Sequence, residues 1–287
     1  MYICLGPEAI GVQAGFARAL NLAKRHRFAG VSFSASAVAD LIDEQGVDAV
    51  RALVDEAGVI PGPFGFPVNF REDEASWRAG LADLPRLAKA AKAIGCDLTA
   101  TWIKPASDEM DFDENFAFHV ARLTPAAQIL ADHGIRFGLE WVGTESLRTQ
   151  SKHSFIYTMT GMLELCFAIG TSNMGLLVDC FHILMARDSN NDIRKLKNEQ
   201  VILVHVNDAL ADTPISEHPD TVRQLPGETN VIDLNGFLRA LHDIGYDGPV
   251  MAEPFSQRLR ELLEDEAVAE TSKAMHKMMQ KAGINNE

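Results

Sequence analysis

The sequence predicts one α/β domain over residues 1–287, folded as a (β/α)8 barrel of the TIM type. Three observations support this prediction. The length of 287 residues is close to the roughly 250 residues typical of such barrels. Strand-like and helix-like stretches alternate along the chain, which favours parallel strands joined by helices. Four apolar runs in the second half each end in a side chain that can bind a metal, and the carboxyl ends of strands form the functional rim of a barrel.

The first half of the chain contains four predicted strand-and-helix units. Apolar runs predict strands at 2–5, 29–33, from 59–60 onward, and at 98–103. The third strand has a Gly- and Pro-rich continuation as far as Phe70, which we expect to form a rim loop. Helical spacing of apolar residues predicts helices over 16–23, 38–53, 77–87 and 116–129. Pro85 and Pro125 lie inside the last two, and proline removes a helical hydrogen bond, so kinks or breaks are expected there.

Four further units are predicted in the second half. Their strands cover 137–139, 176–178, 201–204 and 250–252, and their helices cover 162–169, 192–197, 234–241 and 258–279. Short β-prone runs bounded by polar or glycine positions are typical of strands buried on both faces. Each run leads directly into a polar residue, in chain order Glu140, Asp179, His205 and Glu253.

These four polar residues predict a metal site at the barrel rim. Taken singly, a strand-terminal Asp or Glu can instead be the N-cap of the next helix, and a lone His can be a hydrogen-bonded core residue. Taken together, they offer three carboxylates and one imidazole, a mixture suited to Mn, Mg, Co or Zn. Because neighbouring parallel strands end at the same rim, the four side chains can share one divalent ion.

Composition limits the other classes of function. The formal net charge is −14 and the basic residues form no stripe, so nucleic-acid binding is disfavoured. The four cysteines are dispersed without a CxxC spacing, which is typical of reduced core residues in a cytosolic protein. No basic segment followed by an apolar run opens the chain, and no window approaches the roughly 18 apolar residues of a membrane span. We therefore expect a cytoplasmic protein without a membrane or nucleic-acid partner.

Five short motifs resemble a known family. They are GLEWVG around Glu140, LLVDCFH with Asp179 and His182, VHVNDA with His205, RQLPGE with Arg223, and AEPF with Glu253. Together they resemble the sugar phosphate isomerase/epimerase branch of the xylose isomerase-like TIM barrels. The resemblance implies a carbohydrate substrate and one divalent metal, Mn, Mg or Co before Zn, bound by Glu, Asp, His and Glu. Such barrels commonly form dimers or tetramers, so a homo-oligomer is expected.

The resemblance also implies roles for individual residues. Glu140, Asp179, His205 and Glu253 would hold the metal. A metal that polarises a ketone and its neighbouring hydroxyl acidifies the C–H between them by stabilising the enediolate. A carboxylate on each face of that planar intermediate can remove a proton from one side and return it from the other. Glu140 and Glu253 are therefore the predicted catalytic residues of a sugar, sugar phosphate or keto-sugar isomerase or epimerase.

Five further residues are predicted to bind the substrate. By resemblance His182 faces the substrate oxygens, with helix capping as the alternative. Arg223 is expected to hydrogen-bond a hydroxyl or an anion, with a surface salt bridge as the alternative. Trp102 and Lys104 at the end of the fourth strand and His153 after the fifth are weaker candidates. An aromatic ring can stack on a sugar, and Lys or His can bind its hydroxyls.

The turn after Arg223 departs from the family pattern. Many relatives have a further glycine after Pro-Gly-Glu, whereas this chain has Thr229-Asn230. Asparagine tolerates left-handed backbone angles better than most residues, so the turn can still form.

Three alternative functions are compatible with parts of the sequence. An enediolate with a leaving group at the β-carbon would expel water or an alkoxide, which makes the enzyme a lyase, either a keto-inositol or dehydroshikimate dehydratase or a keto-glycoside β-eliminase. Apurinic endonucleases share the fold, but they use extra histidines on the early strands, where this chain has none. A sugar-sensing protein would be expected to lose one acid/base carboxylate, and both are present. The isomerase or epimerase is favoured.

Overall fold

Eight parallel strands form a closed barrel in the computed structural model, which describes residues 1–284. The strands are β1 (Tyr2–Leu5), β2 (Gly30–Phe33), β3 (Ile60–Gly65), β4 (Leu98–Ile103), β5 (Arg136–Trp141), β6 (Met174–Asp179), β7 (Val201–Val206) and β8 (Pro249–Ala252). Each strand pairs with its neighbours in chain order, and β8 pairs with β1 to close the circle. The predicted TIM barrel is confirmed, while residues 285–287 of the predicted domain lie outside the described residues.

The helices connect successive strands around the barrel. They are α1 (Phe16–Arg25), α2 (Ala35–Gln45), α3 (Val47–Ala57), α4 (Glu74–Ala93), α5 (Phe112–Asp132), α6 (Glu145–Arg148), α7 (Met159–Ile169), α8 (Cys180–Ala186), α9 (Asn190–Ile193), α10 (Leu234–Asp243), α11 (Gln257–Arg260) and α12 (Glu264–Ala282). Two short strands, Ala106–Ser107 and His153–Ser154, pair as an antiparallel ribbon beside the barrel. Among the described residues, no helix has the length and apolarity needed to cross a membrane.

Three helix predictions are wrong in detail. The single helix predicted over 38–53 is divided into α2 and α3, because Gly46 adopts a φ of +86° that interrupts the helical backbone. The helix predicted over 258–279 is likewise two helices, α11 and α12. The helix predicted over 192–197 is the short α9, and the chain then passes through a 3-10 turn at Asn198–Gln200 before β7 begins.

The predicted effects of the prolines and the third strand also need correction. Helices α4 and α5 continue as single helices through Pro85 and Pro125. Buried apolar residues on both sides of each proline keep these helices packed on the barrel, which offsets a proline cost of about 3 kcal/mol. Strand β3 extends to Gly65, so the first part of the predicted rim loop is strand, and the loop begins at Phe66. In β3, Gly62 lies so close to β2 that an added Cβ would be 3.0 Å from Val31 O.

The apolar core has two parts. The larger part lies between the sheet and the surrounding helices, and a smaller cluster of Cys4, Leu177, Leu203 and Met251 lies inside the barrel. Leu177, Leu203 and Met251 also line the cavity at the barrel mouth, so this inner cluster forms its floor. All four cysteines are buried and free, as the sequence predicts for core residues.

Candidate active site at the barrel mouth

The four predicted metal ligands come together at one end of the barrel. They lie at or next to the carboxyl ends of β5 to β8, in the order Glu140, Asp179, His205 and Glu253. Asp179 and His205 are direct register partners on neighbouring strands. One ligand atom from each of the four residues lies within 4.8 Å of those of the other three. The parallel strand order thus brings together side chains that are far apart in sequence.

The chemistry of this cluster fits a divalent cation. Glu140 Oε1 and His205 Nδ1 are buried without a hydrogen-bond partner among the described residues, and they lie 3.9 Å apart. An unpaired buried polar atom costs about 1–3 kcal/mol, so a ligand for both atoms is expected. Three carboxylates and one imidazole are donors that divalent cations bind in proteins. The residues of the cluster therefore fit such an ion.

Asp179 is held by three protein donors. Its Oδ1 accepts the backbone N–H of Phe181 at 2.7 Å, which makes it the N-cap of α8, and the side-chain amide of Asn207 at 3.0 Å. Its Oδ2 accepts Arg223 Nη1 at 2.6 Å. A carboxylate has about four lone-pair positions, so capping a helix does not prevent it from binding a metal.

Arg223 lies beneath the carboxylates and not at the surface. Its Nη1 also donates to Glu253 Oε2 at 3.0 Å, and its Nε donates to the backbone oxygen of Asp220 at 2.9 Å. The guanidinium lies over the rings of Phe181 and Phe255, at 4.5 and 4.8 Å from their centroids. The alternative of a surface salt bridge is wrong. Arg223 does not line the cavity, so its direct contact with substrate stays a prediction.

His182 is also buried behind the ligand cluster. Its Nδ1 accepts the backbone N–H of Gly143 at 3.3 Å. Its Nε2 lies 3.9 Å from Glu140 Oε1 and 3.8 Å from Asp220 Oδ1. Burial and the nearby charge of Arg223 lower the pKa of His182 to about 3, so the ring is neutral. Both ring nitrogens face donors, Nδ1 the backbone N–H of Gly143 and Nε2 the Nη2 of Arg223 at 3.3 Å.

The charged groups of the cluster shift one another's pKa values. Burial, with the neighbouring Glu253 and Asp179, raises the pKa of Glu140 well above its usual range. Burial alone would also raise the pKa of Glu253, but the charges of His205 and Arg223 outweigh it and lower that pKa. Burial opposes protonation of His205, yet Glu253, whose Oε2 is 3.4 Å from His205 Nδ1, raises the pKa of the imidazole. Full ionisation of Glu140 beside Glu253 and Asp179 is thus disfavoured in the protein alone, and a bound cation would offset that cost.

A cavity of about 400 Å³ opens above these groups. Glu140, His205 and Glu253 line it, and so does Trp102, whose surface is 46% exposed. Lys104 and His153 do not line it. Lys104 is exposed beyond the end of β4, where the chain turns into the short ribbon, and His153 pairs with Ser107 in that ribbon. The roles of these two residues in binding substrate have no support from the geometry.

The family model of xylose isomerase-like TIM barrels matches residues 20–279. The chain belongs to this family. The inosose isomerase of Halalkalibacterium halodurans is 25% identical over 196 residues, which cover 68% of this chain and 66% of that protein. Among solved structures, a xylose isomerase domain protein from Alicyclobacillus acidocaldarius is 27% identical over 99% of both chains, with a TM-score of 0.88. The IOLI protein with a bound zinc atom is 20% identical over 98% of this chain and 99% of that one, with a TM-score of 0.81.

The turn after Arg223 in this xylose isomerase-like barrel is organised by a residue that the sequence reasoning missed. The carboxylate of Asp208 accepts the backbone N–H groups of Thr229, Asn230, Val231 and Ile232, at 2.6–3.1 Å. Asn230 adopts a φ of +58°, so the tolerance of asparagine for left-handed angles is used here. The turn therefore forms without the family glycine, because a buried carboxylate holds its backbone.

Two more supporting residues were missed, and both had a signal in the sequence. Asn207 is fully buried and orients Asp179; it follows a buried strand directly, in the same VHVNDA motif as His205. Asp220 lies beside His182 and Arg223, with Oδ1 3.4 Å from Arg223 Nη2. It lies three residues before Arg223 in the same loop. Polar residues next to a predicted ligand were the clue in both cases.

Proposed function

We propose that the protein is a divalent-metal-dependent isomerase or epimerase of a keto sugar or keto cyclitol. The observation that carries the proposal is the pairing of Glu140 and Glu253 in one cavity. Both carboxyl groups line it, and they flank His205, whose Nδ1 is 3.9 Å from Glu140 Oε1 and 3.4 Å from Glu253 Oε2. Two carboxyl groups on either side of one binding position are what proton transfer between faces requires.

The residues of the cluster have distinct parts in this proposal. A divalent cation bound by Glu140, Asp179, His205 and Glu253 would polarise the carbonyl and the adjacent hydroxyl of the substrate. Glu140 and Glu253 remove and return the proton. Return to the same carbon from the opposite face inverts that carbon, whereas return to the neighbouring carbon moves the carbonyl. Arg223 orients Asp179 and Glu253 through its two hydrogen bonds.

The relatives support the class of reaction and leave its details as proposals. One is an inosose isomerase, and a related structure binds zinc. We propose Mn, Mg or Co for this chain, with Zn as a further candidate, because mixed oxygen and nitrogen sites accept all four. A cytoplasmic location and a homo-oligomeric state remain predictions.

Solvent exchange tests the proposed function. Protein loaded with Mn²⁺ or Mg²⁺ is incubated in heavy water with ketoses, sugar phosphates, inosose and keto-glycosides, and the products are followed by NMR and mass spectrometry. Deuterium entering beside a carbonyl, with the carbon skeleton retained, is the expected result. Loss of water or of an alcohol would instead identify a lyase. No exchange with any substrate, despite one bound metal per chain, would contradict the proposal.

A further inference from the structure

The cavity above the ligand cluster has two chemically different walls. Glu140, His205 and Glu253 form the polar wall, on the side of β5 to β8. The opposite wall comes from the first three strand-and-helix units and is mostly apolar, the exceptions being Glu8, Ser32 and Ser34. Six of its residues are Pro7, Phe16, Phe33, Ala37, Pro63 and Phe64. A substrate whose reacting carbons lie at the carboxylates must therefore extend its other end along apolar side chains.

Three phenylalanines of the apolar wall pack against one another. The ring of Phe33 contacts that of Phe16 edge-on at a centroid distance of 5.5 Å and that of Phe64 at 6.0 Å. Phe16 and Phe64 are buried, whereas Phe33 is half-buried. These are favourable arrangements for aromatic pairs, and they leave the face of the wall fixed. The wall is thus suited to contact a flat apolar group.

Two further aromatic residues border the same space. Trp102 lies at the mouth, and the guanidinium of Arg71 sits over its indole ring, 4.1 Å from the centroid, while donating to the Trp102 carbonyl. Phe255 lines the cavity from the side of β8 with a φ of +42°. A bulky residue with positive φ is unusual, and such strain is retained where the surrounding structure fixes it. Aromatic surface therefore extends to both edges of the polar wall.

Hydroxyl groups are few on the apolar side. Among the described residues that line the cavity, the hydroxyls belong to Ser32, Ser34 and Thr101. That of Ser34 already accepts the backbone N–H of Ala37 as the N-cap of α2. A bare polyol would lose water from its outer hydroxyls against this wall without gaining equivalent hydrogen bonds. An apolar substituent would gain from the same contact.

The charge of the lining disfavours a phosphate. The described residues that line the cavity include the carboxylates Glu8, Glu140 and Glu253 but no Lys or Arg. Arg223 lies behind them with its donors engaged by Asp179 and Glu253. A phosphate group carries a charge of about −1.5 to −2 at neutral pH. It would face carboxylates, and no Lys or Arg among the described lining residues would pair with it.

We infer that the substrate is a non-phosphorylated keto sugar or keto cyclitol carrying an apolar, ring-sized substituent such as an aryl group. The reacting end of this assignment rests on the proposed function. The apolar substituent is inferred from Phe16, Phe33, Phe64 and their neighbours. That part of the inference does not depend on which reaction takes place at the carboxylates.

Binding of inert ligands tests the inference without turnover. Isothermal titration of Mn²⁺-loaded protein is made with methyl β-D-glucopyranoside, phenyl β-D-glucopyranoside and methyl β-D-glucopyranoside 6-phosphate. None of the three can react, because the glycosidic bond leaves no free carbonyl. The phenyl glycoside is expected to have a Kd at least about tenfold lower than the methyl glycoside, the factor that burial of roughly 60 Å² of apolar surface gives. The phosphate is expected to bind most weakly.

A pair of variants locates the effect. Ala37→Phe fills the apolar side of the cavity and should abolish the phenyl preference. Ala17→Phe makes the same change on an exposed position of α1 outside this cavity and should keep it. Circular dichroism confirms that both variants are folded. Equal affinity for the two glycosides, including no measurable binding of either, or tightest binding of the phosphate, overturns the inference.

Proton exchange separates this inference from the proposed function. Methyl and phenyl glycosides of 3-keto-glucose are compared in heavy water. If the proposed function fails, neither exchanges, although the phenyl preference in binding persists and supports the apolar subsite. If the inference fails, both exchange with equal kcat/KM. Faster exchange of the phenyl compound, by about the same factor as its gain in binding, supports both.

Discussion

Arg223 and Asp179 form a buried ion pair at the centre of the site, with Arg223 Nη1 2.6 Å from Asp179 Oδ2. The two side chains are 1% and 0% exposed. The same nitrogen donates to Glu253 Oε2 at 3.0 Å, so one guanidinium orients two of the predicted metal ligands. Removing one partner of a buried pair leaves an uncompensated charge, which costs far more than the pair contributes as a whole.

Arg223→Ala should therefore lower the free energy of unfolding of the metal-free protein by about 3–5 kcal/mol. Urea denaturation measures the change. The matched control is Arg194→Ala, which breaks an exposed pair with Asp243 at 2.9 Å and should cost about 0–1 kcal/mol. Added Mn²⁺ should stabilise the Arg223 variant more than the wild type, because the variant has two carboxylates without their cation. Similar losses in the two variants would contradict the buried role of Arg223.

Substitution of the predicted ligands should reduce bound metal. Asp179→Asn and His205→Ala each remove one donor of the cluster, and the affinity for Mn²⁺ or Zn²⁺ should fall by at least about 10–100-fold, the loss typical even of residues that only support a ligand. Metal content after dialysis is measured by mass spectrometry. Asp243→Asn makes the same chemical change at an exposed carboxylate outside the cluster and should keep its metal. Undiminished metal in the first two variants would count against the assignment.

Glu140→Gln and Glu253→Gln should each abolish proton exchange while preserving the fold. Loss of one acid/base group typically costs about 10²–10⁴-fold in rate. Deuterium incorporation is measured at saturating metal, because both residues are also predicted ligands. Glu8→Gln is the control, since Glu8 lines the same cavity without belonging to the cluster. Exchange at a near-wild-type rate in either variant would remove that residue from the proposed chemistry.

In the turn held by Asp208, position 230 should accept glycine but not alanine. Asn230 has a φ of +58°, an angle that glycine adopts freely but alanine does not. Asn230→Gly should change the free energy of unfolding little, whereas Asn230→Ala should reduce it by about 1–2 kcal/mol. Chemical denaturation of both variants makes the comparison. If alanine were tolerated as well as glycine, the left-handed conformation would not be required.

The convergence of these four side chains could be predicted from the sequence because two local signals coincide at each of them. An apolar run marks each buried strand, and the polar residue that ends it must lie at the rim of a parallel barrel. The register of neighbouring strands then places these polar residues side by side, as in the pairing of Asp179 with His205. The helices were predicted less accurately, since one glycine angle at Gly46 divided a continuous apolar pattern.

Residues in the rim loops could not be assigned in the same way. Lys104 follows a strand end just as the predicted ligands do, but the chain then enters the short ribbon. His153 lies on the other strand of that ribbon, outside the cavity lining. The sequence around Arg223 is typical of a surface loop. In the structure Arg223 is buried and contacts Asp179 and Glu253, which are distant in sequence. The path of a loop depends on contacts between distant segments, and no local pattern encodes those contacts.

His119 makes stability depend on pH at a place outside the site. The ring is 4% exposed, stacks on Phe155 at 5.0 Å, and has no partner for Nε2. Burial, assisted by the charge of Arg71, lowers its pKa to about 4, against about 6.5 in an unfolded chain. Between these values the unfolded state binds a proton that the folded state does not, so stability falls as the pH falls from about 6.5 to about 4.

His119→Phe should remove this dependence while keeping the stacking on Phe155. Wild type and variant are unfolded with urea in metal-free buffers from pH 7.5 to pH 4.5, and the difference between their free energies of unfolding is followed. That difference should move in favour of the variant as the pH falls, by up to about 3 kcal/mol over the window. A difference that stays constant with pH would show that the folded protein accepts a proton on His119 as readily as the unfolded chain does.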